Sequence, residues 1–395
     1  MNRFYARDTV IEVDLDAIAH NVKEFKRHIG PEIQVMAVVK ANAYGHGAVY
    51  VAREALAAGA TYLGVSFVDE AIELREAGIT APILVLSFTP PEAYSLAIQH
   101  RLALTIYEKE LLAPLQAAAL AADQKVKVHI KVDTGMGRIG LQPEEVPDFL
   151  HQVQSESQIE VEGLYMHYSS ADEADKSYTQ RQLRSFQAVL KEVGDSFPLI
   201  HSANSAAAIE LPDQLHQMIR LGISLYGYYP SVEVNHQAVS LRPALTLKSK
   251  VIQCKQPPEG TGISYGKTFI TSGKEIIATV PVGYADGYNR LLSNSGVALI
   301  RGQRVPIVGR VCMDHLMLDV TSIGPIEIGE EVVLYGRQGQ ETIHIDEIAR
   351  QLETIDHEIT CALNHRVPRQ YFRNGQLIAI LNRLRKERIK IYSNN

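Results

Sequence analysis

Eight short apolar runs alternate with amphipathic stretches between residues 14 and about 225. Each run has the length of a β-strand. The stretches between them, such as AVYVAREALAAGA, place apolar residues at helical spacing. Eight strand–helix units in this length favour a (β/α)8 barrel over an open sheet. The predicted strands occupy residues 33–40, 61–67, 81–88, 102–107, 126–133, 161–168, 198–204 and 218–227.

The helical pattern fades after about residue 240. Runs rich in Thr, Val, Ile and Gly follow, among them KEIIATVPVGY and EEVVLYGRQ, and this composition is typical of β-strands. The sequence therefore predicts an α/β chain with two domains. Residues 1–240 are predicted to form a (β/α)8 TIM barrel, and residues 241–395 a mostly β C-terminal domain.

Composition and charge exclude several classes of partner. The formal net charge of the 395 residues is −6 and no basic stripe is present, which argues against nucleic acid. No apolar run reaches the roughly 18 to 20 residues of a membrane span, and the first residues lack an apolar signal segment. The three cysteines lie far apart without CxxC spacing, so we expect no metal site and no disulfides. We expect a cytoplasmic protein.

Polar residues follow the predicted barrel strands at their carboxyl ends, where barrel enzymes carry their chemistry. Lys40 follows the apolar run MAVV, and a dry site there would favour its neutral, nucleophilic amine, which suits covalent binding of a carbonyl cofactor. Each such residue could instead be a solvated flank of its strand. The interpretation as a functional site is favoured, because four further polar residues fall on the same predicted face: Tyr44, His167, Ser205 and Arg220.

A phosphate site is also predicted at this face. Ser205 opens a predicted helix, and Gly222 and Ile223 of the last predicted run offer two backbone N–H groups. A hydroxyl and free amides at a helix start form a cradle for an anion.

The segments that carry these residues resemble the pyridoxal-phosphate-dependent alanine racemase family over nearly the whole chain. The most specific match is AVVKANAYGHG, residues 37–47, which is similar to the family's cofactor-lysine signature. So many ordered matches make an accident implausible. The further matches are KVDTGMGRIG (131–140), EGLYMHYSSADE (162–173), HSANSAA (201–207), RLGISLYG (220–227), ISYGKTF (263–269), PVGYADGY (281–288), PIVGRVCMDHLML (306–318) and NHRVPR (364–369).

The resemblance implies how pyridoxal 5′-phosphate would be held. Lys40 would bind it covalently, and Arg220 would face the pyridine nitrogen. Because a guanidinium does not give up its proton, that nitrogen stays unprotonated, which favours racemisation over transamination. The other cofactor-binding residues that the resemblance implies are Tyr44, His167, Asn204, Ser205, Gly222, Ile223 and His357; of these, His167 and Asn204 would hold Arg220 in place.

The resemblance also implies the substrate site and a homodimer. Lys40 and Tyr265 would be the two catalytic bases, with Tyr265 supplied by the other subunit. Arg138 and the N–H of Met313 would bind the substrate carboxylate, while Tyr284 would line the route into the site. Lys131 is similar to a lysine that is sometimes carbamylated to orient the arginine. The chain departs from the family at His357, since the segment Thr-Ile-Asp-His-Glu (354–358) usually carries Tyr there.

The expected activity is interconversion of L-alanine and D-alanine, the latter for peptidoglycan. Because the usual tyrosine also borders the substrate side chain, His357 leaves open a serine-preferring or broad-range racemase. A pyridoxal-phosphate-binding homeostasis protein without turnover is a third possibility. It is disfavoured because such a carrier needs neither a second base at Tyr265 nor the carboxylate-binding Arg138 and Met313.

Overall fold

The computed structural model describes residues 6–194, 197–385 and 387–390. Its contacts divide the chain into two compact units. The barrel unit consists of residues 17–43 and 48–242, apart from the two that are not described. The β unit consists of the described parts of residues 1–16, 44–47 and 243–395. The predicted division after residue 240 stays a prediction.

The barrel unit contains one parallel sheet of eight strands, and each strand lies in or overlaps one of the eight predicted runs. This confirms the predicted (β/α)8 fold. The sheet is nearly closed, because the N–H of Arg220 in the last strand donates to the C=O of Ala203 just beyond the seventh, at 2.9 Å. The strands are Gln34–Val38, Tyr62–Val65, Ile83–Val85, Ala103–Ile106, Val126–Lys131, Ile159–Tyr165, Leu199–His201 and Met218–Leu221.

Apolar side chains from six of these strands fill one layer of the barrel interior. Burial of such side chains is the main stabilising contribution to a barrel core, about 1.5 to 3 kcal/mol for each fully buried large residue. The other interior layers hold polar residues, which form part of the site described below. The apolar layer consists of Met36, Tyr62, Leu84, Ala103, Leu199 and Met218.

Several of the helices are amphipathic, as the apolar spacing predicts; Val146–Ser155, for example, buries Val146, Phe149, Leu150 and Val153. Leu112–Ala121 differs, because it is apolar around most of its circumference. Among the described residues, no helix is long and apolar enough to cross a membrane. The helices are Leu15–Ile29, Lys40–Tyr44, Ala48–Ala57, Val68–Glu76, Tyr94–Gln99, Leu112–Ala121, Val146–Ser155, Ser177–Val193, Ser205–Glu210, Ile345–Gln351 and Asp356–Ala362. The last two belong to the β unit.

The β unit is built mostly from antiparallel strands, which confirms the predicted mostly β region. Its large sheet also includes Val10–Asp14, which pairs antiparallel with Leu245–Lys250 and parallel with Arg369–Arg373. The strands of this unit are Val10–Asp14, Leu245–Lys250, Gln253–Lys255, Gly262–Ile263, Phe269–Ile270, Ile277–Val280, Val297–Ile300, Gln303–Pro306, Leu316–Asp319, Glu331–Gln338, Glu341–Ile343, Arg369–Arg373, Gln376–Asn382 and Glu387–Lys390.

Candidate active site

Lys40 begins a left-handed turn directly after the first barrel strand. Ala41, Asn42, Ala43 and Tyr44 have φ of 51°, 54°, 53° and 49°. A left-handed helical conformation costs roughly 1 to 2 kcal/mol per L-residue with a Cβ atom. Four such residues in a row persist only where their surroundings hold them, and strained backbone of this kind clusters at functional sites.

The carboxylate of Glu70 holds the start of this turn. Its Oε1 accepts the N–H of Ala41 at 2.6 Å, and its Oε2 accepts the N–H of Ser66 at 2.7 Å. One side chain thus links the residue after Lys40 to the end of the second barrel strand. Farther along, Asn42 Oδ1 accepts the N–H of Ala48 at 3.1 Å. Sequence reasoning missed Glu70, because an acidic residue in the first helical turn is common without any such function.

Arg220 lies inside the barrel with only 3% of its surface exposed. Its NH1 contacts His201 Nδ1 at 2.8 Å and its NH2 contacts His167 Nδ1 at 3.0 Å. NH2 also donates to the carbonyl oxygens of Met166 and Ser202. Within the described chain Arg220 has no carboxylate partner, and burial lowers its pKa to about 10, so it stays a cation at neutral pH.

The imidazole of His167 is held neutral beside this cation. Burial, followed by the charge of Arg220, lowers the pKa of His167 well below its usual value. Because Arg220 can only donate, His167 Nδ1 must accept and its proton must lie on Nε2. That nitrogen has no hydrogen-bond partner within the described residues and can serve another group.

The residues predicted to form the phosphate cradle lie close together. Ser205 opens the helix Ser205–Glu210, and its Oγ accepts the N–H of Gly222 at 3.0 Å. Gly222 therefore orients the serine, while the hydroxyl proton and the N–H of Ile223, at the start of the turn Ile223–Tyr226, remain to bind an anion. Asn204 caps the same helix by accepting the N–H of Ala207 at 2.9 Å, and it is not among the side-chain hydrogen-bond partners of Arg220 within the described residues.

Lys131 is the last residue of the fifth barrel strand, and Arg138 lies in the loop that follows. Lys131 is buried, and its Nζ donates to the carbonyl oxygen of Val132 at 2.7 Å. Burial, followed by the charge of Arg220, lowers the pKa of Lys131 to about 7. The loop that leads to the exposed Arg138 is shaped by Asp133, whose Oδ1 accepts the N–H groups of residues 135–137.

In the β unit, Tyr265 stands at the tip of the hairpin formed by Gly262–Ile263 and Phe269–Ile270. Its side chain is 71% exposed. The tip is nevertheless well anchored, since Ser264 Oγ donates to the carbonyl oxygen of Arg310 at 2.6 Å. An exposed tyrosine on a firmly held tip is suited to contact another molecule.

Tyr284 and Met313 lie on two segments joined by backbone hydrogen bonds. The N–H of Tyr284 donates to Cys312 and that of Ala285 donates to Met313, at 3.0 and 3.1 Å. Tyr284 is 41% exposed and Met313 is 52% exposed. The N–H of Met313 has no acceptor within the described residues, so it is available to a ligand.

An ion cluster also connects these two segments, because Arg366 pairs with one carboxylate from each of them. Asp286, fully buried, pairs with Arg7 at 2.6 Å and with Arg366 at 2.7 Å, and Arg366 also reaches Asp314 at 2.6 Å. Although burial opposes ionisation, the two arginines hold the pKa of Asp286 below its usual value. Sequence reasoning missed this cluster, because its four members are far apart in the sequence.

The rings of Tyr44 and His357 contact each other in the β unit, with centroids 5.7 Å apart.

The backbone after Tyr44 is packed too closely for any residue but glycine. A Cβ on Gly45 would lie 2.2 Å from the carbonyl oxygen of Thr360, and one on Gly47 would lie 1.8 Å from the hydroxyl of Tyr371. Both also have positive φ, which explains the two glycines of the segment AYGHG.

The donors in the barrel unit fit pyridoxal phosphate, the cofactor that the resemblance implies. A phosphate matches the hydroxyl of Ser205 and the N–H of Ile223. A basic ring nitrogen matches the buried guanidinium of Arg220, which lacks a carboxylate partner in the described chain and can only donate. Lys40 supplies the amine for a carbonyl group.

Comparison with known proteins gives the same family in both halves of the chain. The family model described as alanine racemase, N-terminal domain, matches residues 13–230, and the one described as alanine racemase, C-terminal domain, matches residues 244–371. Alanine racemase 2 of Caldanaerobacter subterraneus subsp. tengcongensis is 45% identical over 383 residues, which are 96% of this chain and 98% of that protein.

Solved structures agree with this result. Alanine racemase from Bacillus anthracis, with bound L-Ala-P, has a TM-score of 0.91 and 42% identity, covering 98% of this chain and 100% of that one. Histidine racemase from Leuconostoc mesenteroides subsp. sake has a TM-score of 0.87 and 30% identity, covering 94% of this chain and 100% of that one. The fold is thus shared by proteins named alanine racemase and histidine racemase.

Proposed function

The chain belongs to the alanine racemase family, and from this membership we propose that it interconverts L-alanine and D-alanine with pyridoxal 5′-phosphate as cofactor. In a bacterial cell the D-alanine would supply peptidoglycan synthesis. The observation that carries the proposal is the buried Arg220 at the end of the last barrel strand, hydrogen-bonded to His167 and His201. A cationic donor in that position suits a cofactor ring that racemises rather than transaminates.

The chain's own residues divide the work of holding the cofactor. We propose that Lys40 binds it covalently, that Ser205, Ile223 and Tyr44 hold its phosphate, and that Gly222 and Asn204 support this cradle. When bound, pyridoxal phosphate withdraws electrons from the substrate's α carbon and makes its proton acidic. Arg220 would face the ring nitrogen and keep it unprotonated.

Two bases are needed because the proton leaves one face of the α carbon and returns to the other. We propose Lys40 for one face and Tyr265 for the other. A phenol ordinarily keeps its proton at neutral pH, so a nearby cation is needed to favour its loss. The unpartnered Nε2 of His167, backed by Arg220, would provide that link.

We propose that Tyr265, Tyr284 and Met313 complete the site of a second copy in a homodimer. Their exposures of 71%, 41% and 52% support this, because residues of a working active site are seldom left in open solvent. The partner's Met313 N–H would bind the substrate carboxylate together with Arg138. Action in the cytoplasm also remains a proposal, which cell fractionation would test.

A serine-preferring or broad-range racemase is the second candidate. The observation that favours it is His357, which lies beside Tyr44 where the family usually has tyrosine. An imidazole in place of a phenol changes both the size and the polarity of the border of the substrate site. Substrate preference would then differ while cofactor and mechanism stay the same.

The decisive experiment combines a visible spectrum with chiral analysis of products from a panel of L-amino acids. We expect an absorption band from lysine-bound cofactor and D-alanine as the main product. Lys40→Ala should lose both the band and racemisation in either direction, since the nucleophile and one base vanish together. A band that survives in Lys40→Ala would contradict the assignment of Lys40, and D-serine as the main product would favour the second candidate.

A further inference from the structure

A hydrogen-bonded chain runs from Arg220 through the interior of the barrel unit to a carboxylate. Arg220 NH1 contacts His201 Nδ1 at 2.8 Å, and His201 Nε2 contacts His129 Nδ1 at 2.8 Å. His129 Nε2 then contacts Glu162 Oε2 at 3.1 Å. His129 and Glu162 have no part in the function proposed above.

The two ends of this chain fix its direction. A guanidinium has donors only, and an ionised carboxylate has acceptors only. His201 must therefore accept on Nδ1 and carry its proton on Nε2. His129 must do the same, because it accepts from His201 and donates to Glu162. No other assignment of protons satisfies all three hydrogen bonds.

Burial keeps both imidazoles neutral. His129 and His201 are 0% exposed, and burial lowers the pKa of each, well below the usual value for His201. A protonated His201 would also point an N–H at the guanidinium of Arg220. The hydrogen-bonded chain from Arg220 to Glu162 therefore consists of one cation, two neutral rings of fixed tautomer and one anion.

Glu162 is held firmly as that anion. Its Oε2 accepts the hydroxyl of Tyr62 at 2.7 Å, and its Oε1 accepts Lys127 Nζ at 2.5 Å. Although burial opposes ionisation, the hydrogen bonds from His129, Lys127 and Tyr62 lower the pKa of Glu162 to about 2. Arg220 itself contacts no carboxylate within the described chain. The hydrogen bonds through the two histidines connect it to the carboxylate of Glu162.

The hydrogen-bonded chain runs through the interior of the barrel. Glu162 and His129 lie in the middle of their strands, and Tyr62 and Lys127, which bind the carboxylate, are the first and second residues of theirs. Lys40 and Arg138 follow the carboxyl ends of theirs, where barrel enzymes bind substrate. Residues away from the substrate-binding end are thus connected to Arg220.

We propose that Glu162 is a positioning residue for Arg220: through His129 it fixes the tautomer of His201 and so keeps the guanidinium in place as a donor. This inference rests on the proposed function, since it matters for activity only if Arg220 faces the cofactor. Without the carboxylate, the two rings can reverse their tautomers. His201 would then present an N–H to Arg220, and the contact between them would be lost.

The test uses the cofactor-loaded protein labelled with 15N at histidine. In the natural protein we expect the 15N spectrum to show both His129 and His201 protonated on Nε2 and neutral near pH 7. In Glu162→Gln we expect altered shifts at both rings, a kcat reduced about tenfold and a KM for alanine changed less than about twofold, as for lost support of a group in contact with the reaction. Transamination, in which the amino group of alanine passes to the cofactor and pyruvate is released, should increase relative to racemisation, because Arg220 is no longer held.

Glu160→Gln is the matched control. Glu160 lies on the same strand two residues away and is exposed, so the same chemical change there should alter neither the histidine shifts nor the pyruvate ratio. The proposal would be overturned if Glu162→Gln left unchanged both the tautomers of His129 and His201 and the ratio of pyruvate to racemisation. So would a proton on Nδ1 of either ring in the natural protein, a result that stands even if the variant does not fold. Absence of any racemase activity in the natural protein would instead contradict the proposed function.

Discussion

His357 is the residue at which this chain differs from the family pattern, and its ring lies 5.7 Å from that of Tyr44. If Tyr44 holds the cofactor phosphate, the dianion favours the protonated imidazole. Cofactor affinity should then fall as pH rises through the titration of His357, because the charged form is lost. In His357→Tyr this dependence should disappear between about pH 6 and 8.

Two measurements check this prediction on both proteins: cofactor dissociation against pH, and the ratio of kcat/KM for serine to that for alanine. We expect the ratio to be lower in His357→Tyr, because a phenol returns to the border of the substrate site. An identical pH dependence and an identical ratio in the variant would show that His357 is a neutral replacement for tyrosine.

Lys131 should make stability depend on pH. Its pKa is lowered to about 7 by burial and then by Arg220, whereas an unfolded lysine has a pKa near about 10.4. Between these values the unfolded chain binds more protons than the folded one, so the free energy of unfolding rises with pH. Lys131→Met lacks this titration.

We therefore expect the stability of the natural protein, relative to Lys131→Met, to increase from about pH 7 to about pH 10 in CO2-free buffer. Urea unfolding at several pH values measures it. Added bicarbonate should reduce the effect if the neutral amine forms a carbamate. A constant difference across this pH range would show that Lys131 is not shifted.

Among single residues, those at the carboxyl ends of the barrel strands are the easiest to predict from the sequence. Lys40 and Arg220 could be identified because polar residues at the carboxyl ends of barrel strands are where chemistry is expected. Glu162 and His129 could not, because they lie in the middle of their strands. Their function depends on three distances that only the folded barrel provides.

At the scale of elements, the left-handed turn after the first barrel strand makes its own prediction. Ala41 is exposed and has φ of 51° and ψ of 47°. Glycine there avoids a left-handed cost of roughly 1 to 2 kcal/mol and loses about 0.5 to 1 kcal/mol through greater freedom of the unfolded chain. Ala41→Gly should therefore leave the free energy of unfolding unchanged or increase it by up to about 1.5 kcal/mol.

Ala117→Gly is the control, since Ala117 is also exposed but lies within the right-handed helix Leu112–Ala121. It should lose about 1 kcal/mol. Denaturant unfolding of the two variants gives the comparison directly. Equal losses in both would mean that the turn at Ala41 is not left-handed in solution.

The sequence predicts the existence of elements better than their partners. All eight barrel strands could be read from apolar runs, because a strand buried on both faces is apolar along its length. The strand Val10–Asp14 has an equally clear pattern, yet nothing in it indicates that it pairs with Leu245–Lys250. The left-handed turn is likewise hidden, since alanine favours right-handed helices.

At the scale of the whole molecule, the proposed site needs two chains. The barrel unit carries Lys40 and Arg220, while Tyr265 stands 71% exposed on the β unit. The sequence alone places Tyr265 in a family motif, but which chain it serves is a property of the assembly. Closed twofold symmetry would give each dimer two equivalent sites.

Subunit complementation tests this shared site most directly. Lys40→Ala and Tyr265→Ala should each be inactive, and a mixed dimer should contain one site with both natural residues. After equal amounts exchange subunits at random, half the dimers are mixed, so about a quarter of the natural alanine racemase activity should return. No recovered activity despite proven exchange would contradict the account, because Tyr265 would then serve the Lys40 of its own chain.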